Sequence, residues 1–204
     1  MTPAIQSIGD LLRPQDWNAV ISPPAELAHE AMALMPRAGI LETGELADIS
    51  QRVAGRRDLW EPLVLRDRGR RRYRLLLEDE RIDIWVLCWM PGQGTGFHDH
   101  DTSGVGIAVA TGMVVERQML LPTGATRLEL RPGDTRQGPP GYIHSAAWGA
   151  GEPAVSIHSY SPPLVRVGQY KVNEAGVLER RVEHGRQELM DNSIGSLDPT
   201  RADG

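Results

Sequence analysis

The rhythm of apolar and polar positions changes near residue 61. Before it, the chain reads as helix. Leu27, Ala31, Leu34 and Met35 recur at helical spacing between Ala25 and Met35, and Pro24 suits a helix entry. Leu46, Ile49 and Val53 repeat that spacing behind Thr43. Thr43 is read as an N-cap, with Leu46 standing where a capping box would carry glutamate. Beyond Glu61, short apolar or alternating runs are separated by turn residues roughly every 8–12 positions, the pattern of an all-β sandwich or barrel. The runs predict strands over Tyr73–Leu77, Ile82–Trp89, Thr102–Ala110, Met113–Leu121, Thr126–Leu130, Ile143–Trp148, Ala154–Tyr160 and Val165–Val172. Pro91-Gly92, Pro122-Thr123-Gly124, Arg131-Pro132-Gly133 and Pro139-Pro140-Gly141 supply turns between several of them. The expected organisation is an N-terminal helical segment (1–60) packed on a barrel (61–184), then a partly disordered tail (185–204) poor in large apolar groups. No internal repeat is visible.

Composition narrows the function classes. A chain of 204 residues suffices for one domain with a substantial core. The net charge of −5 argues against a nucleic-acid footprint, and the arginine run from Arg66 to Arg74 is answered by Glu78, Asp79 and Glu80. The single cysteine, Cys88, lies inside Ile84-Trp85-Val86-Leu87-Cys88-Trp89, where a buried, inert thiol is expected. With no disulfide to form, a reducing compartment fits. No signal peptide is recognised, and no run approaches ~20 apolar residues, so a cytoplasmic protein without a membrane span is expected. A monomer or weak homo-oligomer is the expected state.

Two histidine clusters carry the chemistry. The first is Gly92-Gln93-Gly94-Thr95-Gly96-Phe97-His98-Asp99-His100; the second is Gly133-Asp134 followed by Pro139-Pro140-Gly141-Tyr142-Ile143-His144. In a strand, His98 and His100 point to one face because side chains alternate. A third imidazole from a later strand, His144, would complete one face of an octahedron and leave open positions for substrate and dioxygen, as catalytic rather than structural metals require. His29 and His184 have no such context and read as ordinary residues. Further on, alternation sets Ser156, His158 and Tyr160 on one face and Val155 and Ile157 on the other. Buried polar groups cost ~1–3 kcal/mol each when unpaired, so the three are expected to bond in series, hydroxyl to imidazole to phenol. His158 as a fourth metal ligand is the alternative.

These motifs resemble the cupin superfamily. Gly92, His98, His100 and Gly112 fit its first motif, and Gly133, Pro139, Gly141 and His144 fit its second. The first motif's glutamate falls at Gly104 or Val105, and Trp148 replaces the second motif's asparagine. The missing glutamate together with Ser156-His158-Tyr160, Trp89 and Ser161-Pro162-Pro163 is similar to the thiol dioxygenase branch, the cysteine dioxygenase family. That resemblance implies a cupin jelly-roll β-barrel preceded by helices, mainly β in class. It implies one mononuclear Fe(II) held by His98, His100 and His144, with Ser156, His158 and Tyr160 as a relay above it. It also implies a cis peptide at Ser161-Pro162. The cysteine that mammalian members join to the tyrosine lies near residue 104 or 105, so Tyr160 is expected to work unmodified here.

A thiol dioxygenase of this kind takes a small thiol and O2 and gives a sulfinic acid. The family's carboxylate-binding arginine falls by ungapped offset from Trp89 on Arg72; Arg74 shares its face, and Arg166 is a further candidate that would suit a 3-mercaptopropionate enzyme better. A guanidinium can pin a carboxylate with two parallel hydrogen bonds. The arginines favour a carboxylate-bearing thiol, cysteine first and 3-mercaptopropionate next. The rival readings are a non-catalytic metal-binding cupin sensor and a cupin oxygenase acting on a non-thiol.

Overall fold

The computed structural model describes residues 24–36, 41–121 and 124–184. The tail assigned to 185–204 lies outside them. Among the described residues, three short helices, α1 (Ala25–Met32), α2 (Thr43–Gly55) and α3 (Arg57–Trp60), precede a 3-10 turn at Glu61–Leu63. Eleven strands follow: β1 (Arg72–Glu78), β2 (Asp83–Trp89), β3 (His98–Asp99), β4 (Gly104–Thr111), β5 (Val114–Leu120), β6 (Gly124–Leu130), β7 (Thr135–Gly138), β8 (His144–Trp148), β9 (Ala154–Ser161), β10 (Arg166–Val172) and β11 (Leu178–His184). They form a five-stranded sheet, β1-β2-β9-β4-β7, and a six-stranded sheet, β11-β10-β3-β8-β5-β6. All the strand pairings are antiparallel. The chain is mainly β, a jelly-roll barrel of the cupin type with helices before it. Among the described residues no helix is long and apolar enough to cross a membrane.

The five-stranded sheet is covered on both faces. Trp85, Leu87, Trp89, Val105, Ile107, Val109 and Tyr160 face the barrel interior. Ile84, Val86, Val155 and Ile157 face the helices, against Leu46, Ile49, Val53 and Trp60. Fully burying one such aliphatic side chain contributes about 1.5–3 kcal/mol, so this second layer anchors α2 firmly. Its approach depends on Gly106: a Cβ there would sit 2.1 Å from the Leu46 carbonyl carbon. Ser50 fastens the contact by donating to the Gly106 carbonyl at 2.9 Å and meets the Ser159 hydroxyl at 2.8 Å. The helix begins one residue earlier in capping terms than the sequence suggests. Glu42 is the cap, and the Glu45 side chain accepts its N–H at 2.9 Å. Cys88 is buried, accepts the Leu65 N–H through sulfur at 3.4 Å, and has its thiol pushed up by burial.

β3 has only two residues and needs outside support. Asp99, between the two histidines of the first cluster, provides it. Its buried carboxylate accepts two hydrogen bonds from Arg180 of β11, both 2.7 Å, and one from the Tyr170 hydroxyl of β10 at 2.6 Å. Burial alone would raise the Asp99 carboxyl, but Arg180, Tyr170 and the Asp101 N–H outweigh it and hold it at about 2. The C-terminal hairpin thus clamps the strand that carries His98. Arg180→Ala should lower stability by about 1.5–3 kcal/mol, the scale of hydrogen bonds to a charged group. Denaturant unfolding of the metal-free protein measures it, and an unchanged midpoint would mean that water replaces the guanidinium without cost.

Candidate metal centre and its surroundings

His98 and His144 are directly opposed across the β3–β8 pair, and His100 follows β3 at once. One ring nitrogen from each of the three lies within 4.8 Å of the others, and all three are buried. The ring centroids are 4.6 to 5.1 Å apart. The approach to each histidine is fixed by the backbone. Gly141, at φ 77°, makes the left-handed turn that feeds β8. Thr95 ties the segment before β3 to β8: its hydroxyl accepts the Ala146 N–H at 2.9 Å, and its own N–H donates to the Ala146 carbonyl at 2.7 Å.

The donor set fits a metal ion. The Gly96 carbonyl lies 3.0 Å from His98 Nδ1 and accepts its proton. His144 Nδ1 is 2.9 Å from the Glu116 carboxylate. Both contacts leave Nε2 with its lone pair for coordination. Neither ring nitrogen of His100 has a hydrogen-bond partner among the described residues, although both are buried. An imidazole so placed is costly unless a metal uses its lone pair. Burial, and then the neighbouring histidines, push His100 well below its ordinary pKa, so it is neutral as a ligand must be. Val105 of β4 faces the interior opposite Tyr160, whereas Gly104 faces Thr43 and Leu46 of α2. No acidic group therefore stands where the first cupin motif usually has glutamate.

Ser156, His158 and Tyr160 do lie on one face of β9, and they bond in series. Ser156 Oγ is 2.9 Å from His158 Nε2, and His158 Nδ1 is 3.2 Å from the Tyr160 hydroxyl. Trp89 extends the chain by donating its indole N–H to Ser156 Oγ at 2.8 Å. An indole can only donate and the Ser156 oxygen has two lone pairs, so the direction beyond it follows the His158 tautomer: with the proton on Nδ1, Ser156 donates to Nε2 and His158 donates to the phenol oxygen. The phenolic proton is then left to be given elsewhere. Burial, helped by His144, His98 and Arg71, pushes His158 well below its ordinary range, consistent with a neutral link. The Tyr160 ring lies 4.8 Å from that of His100, which brings the end of the relay to the histidine cluster. The Ser161-Pro162 peptide is cis, as the resemblance implies.

The arginines are arranged differently from the expectation. Arg72 pairs in register with Cys88 and Arg74 with Val86, both on the helix side of the sheet. Arg72 is ion-paired with Asp67 at 2.6 Å. Arg166 is largely exposed and paired with Asp101 at 2.7 Å. None of the three enters the barrel beside the histidines. Arg71 does. It is 2 % exposed, its guanidinium carbon lies 5.1 Å from the centre of the Trp89 ring, and it donates to the Gly94 carbonyl at 3.1 Å. The cause is a bulge in β1. Leu75 pairs with Trp85 but Leu77 with Ile84, so one extra residue lies between them and shifts every residue before it to the other face. Sequence reading did not single out Glu116. It lies on the inward face of β5, buried with Val114, at a position where alternation alone predicts an apolar residue.

No curated protein matches the chain. Solved structures that resemble it include TT1209 from Thermus thermophilus, 21% identical, covering 50% of this chain and 93% of that one with a TM-score of 0.46. A protein from Klebsiella pneumoniae described as having a double-stranded β-helix domain is 24% identical over 50% of this chain and 80% of its own, with a TM-score of 0.44. The sequence model of the family described as cysteine dioxygenase type I matches residues 19–137. That match takes in more than half of the chain and includes His98, His100 and the arginine strand, so the chain belongs to the cysteine dioxygenase type I family.

Proposed function

We propose that this protein is an iron(II)-dependent dioxygenase that oxidises a small carboxylate-bearing thiol, cysteine foremost, to its sulfinic acid. Thiol plus O2 balances the sulfinic acid in atoms and electrons, so no further reductant is needed. The observation that carries the reading is a cluster of three buried histidines, with no carboxylate among them, set beside the Trp89–Ser156–His158–Tyr160 chain. A ferrous ion held by His98, His100 and His144 would supply coordination of the thiolate and activation of dioxygen.

The remaining work falls to the chain's own residues. Arg71, rather than Arg72 or Arg74, is assigned to the substrate carboxylate. It is the buried guanidinium nearest the relay, and stacking on Trp89 holds its plane. Tyr160, held by His158, would donate a hydrogen bond to the oxygen or to the substrate carboxylate. The interior around them is lined by Val105, Ile107 and Trp85, which exclude water and strengthen each of these contacts.

Metal analysis with oxygen uptake on cysteine, 3-mercaptopropionate and cysteamine tests the proposal. One iron per chain, uptake with cysteine and little with cysteamine are expected, since cysteamine lacks the carboxylate. Preference for 3-mercaptopropionate would move the substrate assignment, and a metal-loaded protein inert to all three would leave the sensor reading in its place. Tyr160→Phe removes one hydroxyl and keeps the ring. Turnover should fall by roughly 10–1000-fold with metal content retained, the scale of losing one positioned hydrogen bond in an active site. Turnover within twofold of the parent would reduce the relay to a buried polar network.

A further inference from the structure

The glutamate that the first motif lacks has a counterpart one bond further out. Glu116 stands in the middle of β5, across from Ala146 of β8 and Leu128 of β6, with 2 % of its surface exposed. Oε1 accepts from His144 Nδ1 at 2.9 Å and from the Tyr142 hydroxyl at 3.2 Å. Oε2 accepts from Arg136 Nε at 2.7 Å, and Arg136 Nη2 donates to the Tyr142 oxygen at 3.0 Å. The Tyr142 ring cannot drift, because it lies against Gly138, where a Cβ would stand 2.3 Å from Cγ of the ring. A carboxylate inside a barrel is costly to bury. This one is kept by a complete set of partners, one of which belongs to the histidine cluster.

We propose that Glu116 is a positioning residue for the metal centre, holding His144 in the Nδ1-protonated form and lending carboxylate charge to its coordinating Nε2. The inference rests on the three-histidine metal site proposed above. Its physical content is simple. An ionised carboxylate only accepts, so the imidazole proton must lie on Nδ1, and Nε2 is left as the donor atom. Sharing that proton with a carboxylate makes the imidazole more basic and more anionic. A metal held by the three histidines would thereby receive part of a negative charge through His144. His98 Nδ1 meets a backbone carbonyl instead, and His100 has no hydrogen-bond partner among the described residues. Arg136 donates to the carboxylate on its far side, so the accepting group is ionised without being left unpaired.

Glu116→Gln tests this with readouts besides turnover. Fe(II) affinity is measured anaerobically against a competing chelator, and the Fe(III)/Fe(II) midpoint potential by spectroelectrochemistry. Unfolding of the metal-free variant is followed alongside. Fe(II) binding should weaken by about 10–100-fold, the usual cost of removing a partner behind a metal-bound histidine. The potential should rise, because a less anionic ligand set favours the ferrous state. If leaving Arg136 without its carboxylate prevents folding, the pair Glu116→Gln with Arg136→Met removes both charges and is held to the same two readouts. A folded variant with the parent's affinity and potential overturns the role given to Glu116. A parent protein that binds no Fe(II) overturns the three-histidine site itself, and the two failures are told apart by the parent alone.

Discussion

Replacing His144 with alanine should remove metal and activity together while leaving the barrel folded. His98 and His144 face each other directly across β3 and β8, and His100 closes the triangle, so the three act as one chelating unit. With one gone, two imidazoles remain, and no carboxylate is at hand to take the vacated place: Val105 stands at the motif's glutamate position. Glu116 is held by Arg136 and Tyr142 whether or not His144 is present. The surrounding core of Trp85, Val114 and Ala146 does not depend on the imidazole. Metal content per chain should fall to background at micromolar Fe(II), and oxygen uptake with cysteine should fall with it. The checks are elemental analysis, oxygen consumption and the circular-dichroism spectrum of the same preparation. A folded variant carrying one iron would take His144 out of the ligand set.

The barrel is legible in the sequence where strands alternate around a core and illegible where they do not. β2 and β9 carry continuous buried runs, and their predicted ends match to within a residue. β7, Thr135–Gly138, and β11, Leu178–His184, were missed. Each lies at the edge of its sheet, where one side of the backbone has no neighbour and polar residues are tolerated, so Thr-Arg-Gln-Gly and Leu-Glu-Arg-Arg-Val-Glu-His carry no alternation to read. β3 is too short for any periodicity, and its histidines were found through fixed offsets to turn glycines and prolines instead.

The site divides along a similar line. His98, His100 and His144, and the series Ser156, His158 and Tyr160, were visible because they occupy regular positions: a two-residue step along one strand, or a turn that demands glycine. The extension to Trp89 is a contact between β2 and β9, and it needs the register Cys88↔Val155 and Leu87↔Ser156, which no single strand reveals. Glu116 looked like any polar residue in Val-Val-Glu-Arg-Gln-Met-Leu. Its inward position was implied by Val114 two residues before it, but what makes an inward glutamate acceptable is Arg136, twenty residues on and in the other sheet.

Arg71→Met should cut kcat/KM for cysteine by roughly 30- to 4000-fold, whereas Arg72→Met and Arg74→Met should change it by about twofold or less. The range follows from ~2–5 kcal/mol for losing one partner of a buried, hydrogen-bonded charge pair, with ~1.4 kcal/mol to each factor of ten. Methionine keeps an unbranched apolar stem that can lie against Trp89 and removes the guanidinium with its charge and its hydrogen bond to Gly94. The contrast between neighbours is what the β1 bulge demands. Counting back from Trp89 without it selects Arg72, but the extra residue between Leu75 and Leu77 turns Arg72 and Arg74 to the helix side and leaves Arg71 beside the indole. Cysteamine separates recognition from architecture. It has no carboxylate to lose, so its slow oxidation should be nearly the same with Arg71 or Met at this position. An equal fall for cysteine and cysteamine would mean that Arg71 serves Trp89 and the fold rather than the substrate. A loss confined to Arg72→Met would mean that the strand pairs without the bulge in solution.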